Sequence, residues 1–174
     1  MTADVSTTPD AASTGPECGE AGWGRPFRSP ATLAAGGLYV AAGGHVGASL
    51  VHLSHGWRIT VFFLVTAAVQ VLVAGRLGRG VGDRVTAAVL AATLGLVLLY
   101  VASRTVNLPF GGVHTVHNDR PQDPDLLGTV VVAAELLILV TGQALLPAGT
   151  RRIATNAMLL VGAGLWAAWG MGVL

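Results

Sequence analysis

Apolar residues in this chain gather into long runs, not into the alternating or one-sided patterns of a soluble fold. The first thirty residues are rich in Ser, Thr, Pro, Gly and Asp and show no apolar period. Such a stretch cannot bury a core, so residues 1–30 are predicted to be a disordered tail. From residue 31 the character changes. Five runs follow, at 31–53, 57–75, 84–103, 126–146 and 153–173. Each approaches the roughly 20 apolar residues that a transmembrane helix needs. The second is the shortest in its apolar centre, Ile59 to Ala74, and takes in Trp57 and Arg58 at its edge. The first does not read as a cleavable signal, because thirty polar residues precede it and no good small-residue site ends it. The predicted fold is all-α: residues 31–174 form an integral membrane bundle of five transmembrane helices behind a disordered N-terminal tail.

Composition agrees with that pattern. The chain of 174 residues is 52% hydrophobic and 11% charged, against about a quarter charged in a soluble domain. A net charge of +1 makes no case for nucleic-acid binding. The single cysteine, Cys18, excludes an intrachain disulfide and a cysteine-cluster metal site. All ten basic residues are arginines, and their distribution gives an orientation. Arg25, Arg28, Arg76, Arg79, Arg84, Arg151 and Arg152 fall on one side of the predicted spans, and Arg58, Arg104 and Arg120 on the other. The positive-inside rule then places the N-terminus in the cytoplasm and the C-terminus outside the cell membrane. Trp57, Trp166 and Trp169 fall toward the outer face as an aromatic anchor.

Small residues recur at packing intervals: Gly43 and Gly47 in span one, Ala87, Ala91 and Gly95 in span three, Gly128 and Gly142 seven residues either side of Glu135 in span four. They support a compact bundle, because small residues let helices approach in lipid.

Polar residues inside the spans carry the candidate chemistry. Ala41, His45, Ser49 and His52 share one face of span one. His45 lies seven residues, about 10 Å, below His52. Glu135 lies nine residues past Leu126 and enters span four from the same side to a similar depth. Gln70 on span two lies somewhat deeper, and Arg104 ends span three. The candidate intramembrane polar site is therefore His45, Gln70, Arg104 and Glu135. Ionisable groups in a bilayer are costly and face the interior or a cavity. Two readings stand: a proton-relay, ligand or metal site, or interhelical hydrogen bonds that hold the bundle together. Glu135 should be protonated or paired at that depth, and His45 is the nearest partner by depth. Arg104 either snorkels to the interface or turns inward to hold Glu135 or a loop aspartate.

One polar stretch, "GGVHTVHNDRPQDPD" at residues 111–125, connects spans three and four. With His52 and His55 at the end of span one, its His114 and His117 make a four-histidine candidate metal site. Imidazole and carboxylate suit zinc or copper, but no HExxH motif or cysteine pair is present. Pro121, Pro124 and the aspartates equally describe a solvated loop, and Asp125 could cap span four. The helix-breaking "NLPFGG" before it could return this loop to the bundle mouth formed by spans one and four.

Three stretches together resemble a known pattern. "HVGASLVHLSHGWRITVFFLVTAAVQ" resembles histidines, then Trp, then an aromatic-rich helix ending in Ala-x-x-Gln. "YVASRTVNLPFG" resembles a Ser-Arg-Thr-x-Gly-Leu-Pro signature, with Asn107 where Gly is usual. "DLLGTVVVAAELL" resembles a following helix with an embedded Glu. Over about residues 38–140 the chain resembles uncharacterised small multi-span membrane proteins of actinobacteria. The resemblance implies a fold type and no reaction. It singles out His45, His52, Trp57, Gln70, Arg104, Thr105, Pro109 and Glu135.

The expectation is an integral membrane protein in contact with the lipid bilayer, with no catalytic residues, no nucleic-acid partner and no nucleophile–base constellation or phosphate-binding loop. It reads as a non-enzymatic structural or regulatory component, with scope for a membrane-protein partner. The alternative is an extracytoplasmic His/Glu site that binds a transition metal or relays protons or a small solute.

Overall fold

A computed structural model of the chain describes residues 29–54, 56–105 and 125–172. The described residues are helical. The helices are α1 (Pro30–Val51), α2 (Trp57–Leu77), α3 (Asp83–Thr105), α4 (Leu126–Gly142) and α5 (Ala148–Gly170), with one 3₁₀ turn, Gln143–Leu145, between α4 and α5. All five are long and apolar enough to cross a membrane, α4 together with its 3₁₀ turn. The chain is an integral membrane bundle.

Local chemistry sets the helix ends. Ser29 caps α1, its hydroxyl accepting the Thr32 N–H, and Pro30 follows where no N–H is needed. Gly56, at φ 131°, supplies the backbone conformation of the short α1–α2 turn, and Gly80, at φ 85°, does the same between α2 and α3. Asp125 caps α4 through the Gly128 N–H, as the sequence suggested. At its far end α4 tightens into the 3₁₀ turn, and Pro147 stands at the cap position just before α5.

Two boundaries differ from the sequence expectation. Span four gives up its α geometry at Gly142, and span five begins at Ala148 instead of Ile153. Span five starts early because backbone hydrogen bonding continues through Arg151 and Arg152 beyond the apolar run, whereas span four tightens into the 3₁₀ turn because Leu146, just before Pro147, is held out of the α conformation.

Neighbouring helices run in the order α2, α1, α4, α3, and α5 meets the rest chiefly through the 3₁₀ turn. Helix α1 is thus covered on two sides and holds the most buried stripe: Ala34, Leu38, Ala41, Ala42, His45 and Ser49. The small residues that matter for packing match only in part those the spacing picked out. A side chain on Gly43 or Gly95 would meet nothing within 4 Å, so neither seats a neighbouring helix, whereas Gly47 faces Leu127 of α4. Gly37 and Gly44, seven apart, face Ile138 and Val131 of α4. Gly128 and Gly142 do pack, seating Tyr100 and Leu90 of α3. The outward surface carries Val, Leu, Ile and Trp over much of its length, including Val65, Leu72, Val140, Leu160 and Trp166. So much exposed apolar surface suits lipid and not water.

Candidate functional site

Helices α1 and α4 bring His45 and Glu135 together. The two run antiparallel, because Gly37 meets Ile138 while Gly44 meets Val131. A Cβ on Gly37 would come within 2.8 Å of Ile138 Cγ1, and one on Gly44 would collide with Val131. The missing side chains let the backbones approach. Each Cα–Cβ bond leans toward its own helix N-terminus, so in this pair the two side chains lean toward each other. His45 Nε2 lies 3.3 Å from Glu135 Oε1, with the side chains 7% and 1% exposed. Glu135 ranks with Leu38 and Ile138 among the most completely buried large side chains.

Aromatic contacts hold the imidazole. The Phe63 ring on α2 stacks on His45 at 5.7 Å and on His52 at 5.5 Å, with interplanar angles of 23° and 19°. Three helices therefore fix the pair: α1 and α4 supply the polar atoms and α2 supplies the wall. Among the described residues no third His, Cys, Asp or Glu joins the pair. The proton can rest on the carboxyl or on the imidazole. Both arrangements carry zero net charge, the condition under which two ionisable groups tolerate burial in hydrocarbon.

Gln70 is buried on α2. It lies seven residues beyond Phe63 on the same side of the helix, about 10 Å further along. Among the described residues neither Gln70 Nε2 nor Gln70 Oε1 has a hydrogen-bond partner. The structure buries this residue without bonding it to His45 or Glu135.

Arg104 lies elsewhere. Its guanidinium pairs with the Asp125 carboxylate and sits 5.1 Å over the Tyr100 ring. Of the two alternatives, Glu135 or a loop aspartate, the partner is the aspartate. Glu135 is ten residues further along α4, about 15 Å away along the axis, which a single arginine side chain does not span. Asp125 Oδ1 also accepts the Gly128 N–H at 2.6 Å. That backbone hydrogen bond first, and the Arg104 charge after it, hold the Asp125 carboxyl below its ordinary 3.8 against the opposing effect of partial burial. The result is a clamp at the α3–α4 junction, separate from the buried pair.

Of the four histidines proposed as metal ligands, His52 is described and stacks on Phe63. His55, His114 and His117 lie outside the described residues, as do Asn107, Pro109, Cys18 and the loop expected at the bundle mouth. Trp57 opens α2, exposed, with the Arg58 guanidinium 5.7 Å from its ring. Thr105 Oγ1 donates to the Val101 carbonyl within its own helix.

Sequence reasoning missed Phe63, Gly37 and Gly44. The spacing of Phe63 from the histidines in the chain reveals nothing of a contact that exists only once α2 folds back on α1. Gly37 and Gly44 stand seven apart, a repeat visible in principle but one of several in a chain with 24 glycines. No family model, curated protein or solved structure matches the chain.

Proposed function

We propose that this protein is a non-enzymatic structural or regulatory component of the cell membrane, and that the His45–Glu135 pair is the lock between α1 and α4. The observation that carries the reading is the 3.3 Å contact between two almost fully buried side chains on helices distant in sequence. A hydrogen bond of that kind fixes which face of one helix meets the other, a task that lipid, being as apolar as leucine, leaves to packing and polar contacts. Orientation belongs to the same proposal: N-terminus cytoplasmic, C-terminus outside, on the arginine distribution. So does kinship with the actinobacterial membrane proteins that three stretches resemble.

The experiment is proton flux through reconstituted vesicles holding an internal pH dye. A lock predicts that wild type passes protons no faster than Glu135→Gln or protein-free vesicles. A flux that Glu135→Gln abolishes would overturn it.

A second reading, a small polar site that takes a proton or a neutral solute, is favoured by Gln70. A buried amide with two unmet groups is costly in hydrocarbon and fits a bound water or a polar ligand group. Zinc or copper binding by His52, His55, His114 and His117 forms part of this second reading.

A further inference from the structure

Helix α5 has one face committed and one face open. Ala154 and Met158 pack against the core cluster, and Thr155 Oγ1 donates to Gln143 Oε1 at 2.7 Å. No residue of α5 is fully buried. The opposite face carries Ile153, Asn156, Leu160, Gly164 and Ala167, spaced three and four apart. Ile153 and Leu160 are more than two-thirds exposed. Asn156 is exposed as well, and among the described residues its amide has no hydrogen-bond partner. Four residues, about 6 Å, separate it from Arg152, so it lies beyond the interface where that arginine snorkels.

A second open feature lies at the same height. Helices α1 and α2 leave an apolar groove between them, with a floor of Ala42, Gly43, Ala67 and Ala68. Tyr39 stands at one end of it, half exposed. Its hydroxyl lies 3.7 Å from the Cβ position of Gly75 and, among the described residues, has no hydrogen-bond partner.

The two features match in register. Gly37 faces Ile138 and Gly44 faces Val131, and that antiparallel register carries the 3₁₀ turn down to the first turn of α1, against which it packs, so α1 and α5 start at about a common level and run the same way. Counted from Pro30, Tyr39 is nine residues in, about 14 Å. Counted from Ala148, Asn156 is eight residues in, about 12 Å. One turn further, Leu160 comes level with Ala42 and Gly43, a large side chain opposite the groove's smallest residues. Another turn on, Gly164 comes level with Val46, a small residue opposite a large one. An amide and a phenol, each without a partner in lipid, fall within one turn of each other.

We propose that the open face of α5 seats in the α1–α2 groove of a second copy of this chain, with Asn156 bonding to Tyr39 Oη of that copy. All copies insert in one orientation, so the docked α5 runs parallel to α1 and the register holds without further adjustment. Within one chain α5 does not occupy the groove, because its packed face is held at the 3₁₀ turn.

The test uses the full chain with Cys18→Ser, carrying Gly43→Cys and Leu160→Cys together, oxidised in native membranes. Both positions are open in the single chain, so neither change disturbs its packing. The expected result is a disulfide-linked dimer that Leu160→Cys alone does not give. Adding Asn156→Leu should lower its yield about threefold, the size expected of one hydrogen bond between membrane helices. Gly43→Leu, introduced into the otherwise cysteine-free chain, fills the groove floor and should abolish association measured by energy transfer between labelled copies. No dimer from the double variant would mean that lipid lines the groove and would overturn the proposal. An equal dimer from Leu160→Cys alone would mean that α5 meets α5, and would overturn it as well. Association that Gly43→Leu leaves unchanged would do the same.

Discussion

Replacing Glu135 with leucine tests the lock most directly. Leucine fills much of the same volume, so the change removes polar atoms more than it opens a cavity. It leaves His45 Nε2 facing an apolar group in a site where the imidazole side chain is 7% exposed. An unsatisfied buried donor or acceptor costs about 1–3 kcal/mol. His45→Leu keeps an apolar contact with Phe63 and strands the carboxyl instead. That cost is again about 1–3 kcal/mol if the carboxyl stays protonated, rising to roughly 3–5 kcal/mol if it is left charged. The double variant strands nothing and should return to within about 1 kcal/mol of wild type, because a buried pair and its apolar replacement lie close in energy. The two single losses should therefore fail to add, by about 1 kcal/mol or more. The assay is reversible unfolding of purified protein in mixed micelles by titrated denaturing detergent, followed by helicity. Additivity within about 0.5 kcal/mol, the margin for independent sites, would refute any energetic role for the pair. Recovery in the double variant would confirm that the cost lies in a stranded partner.

Other outcomes follow from the same structure. Gly44→Ala should destabilise the bundle by about 1–3 kcal/mol by overpacking against Val131, whereas Gly43→Ala should cost nothing in the single chain; thermal unfolding of both would show it. Asp125 has a depressed folded carboxyl value, so its contribution is present above the ordinary 3.8 and is lost as pH falls through the folded value. Acid should therefore loosen the α3–α4 junction, while Asp125→Asn, which keeps a capping oxygen, should flatten that acid response in hydrogen exchange. A membrane-impermeant thiol reagent on intact cells should spare Cys18 and label Thr115→Cys in a cysteine-free background; the reverse pattern would invert the proposed orientation. If the four histidines bind zinc or copper, affinity should fall below about pH 6.5 as imidazoles protonate, and His114→Ala with His117→Ala should weaken it in a titration of purified protein.

The membrane class was readable because it rests on residue content over whole helices, which no tertiary contact can reverse. Five apolar runs separated by arginines and prolines leave few alternatives. The meeting of His45 and Glu135 was readable for a similar reason. Each residue's depth follows from counting along a helix, and the cost of a lone carboxylate in lipid demands a partner at that depth. Depth alone does not give direction around the helix axis. Gln70 shares the approximate depth and is buried, yet its amide makes no bond to the pair. Arg104 had two acceptable acidic partners, and only the α3–α4 geometry selects Asp125. The packing glycines were hidden for the same reason. Gly43 and Gly47 have the spacing of a helix-contact motif, but contact depends on which side α4 lies, and α4 lies on the side of Gly37, Gly44 and Gly47, not of Gly43.

Among the described residues Asp83, Asp125 and Glu135 are the carboxylates, and the first two stand at helix N-termini. There the backbone N–H groups and the helix dipole favour negative charge, and at Asp125 an arginine completes the neutralisation. Neither demands anything of the bundle interior. Glu135 stands mid-helix, where the backbone N–H groups already bond within the helix and offer it nothing. Its stability therefore depends on a side chain from another helix. Among the described residues His45 is the group that bonds to it, and α1 reaches α4 closely enough only because Gly37 and Gly44 lack side chains. The carboxylate, the imidazole and the two glycines thus form one unit: enlarging either glycine should strand Glu135 as surely as removing His45. Gly44→Ala and His45→Leu should accordingly be less than additive in unfolding free energy, although one is a steric change and the other a polar one. Full additivity would show that the close helix contact and the buried pair are independent features.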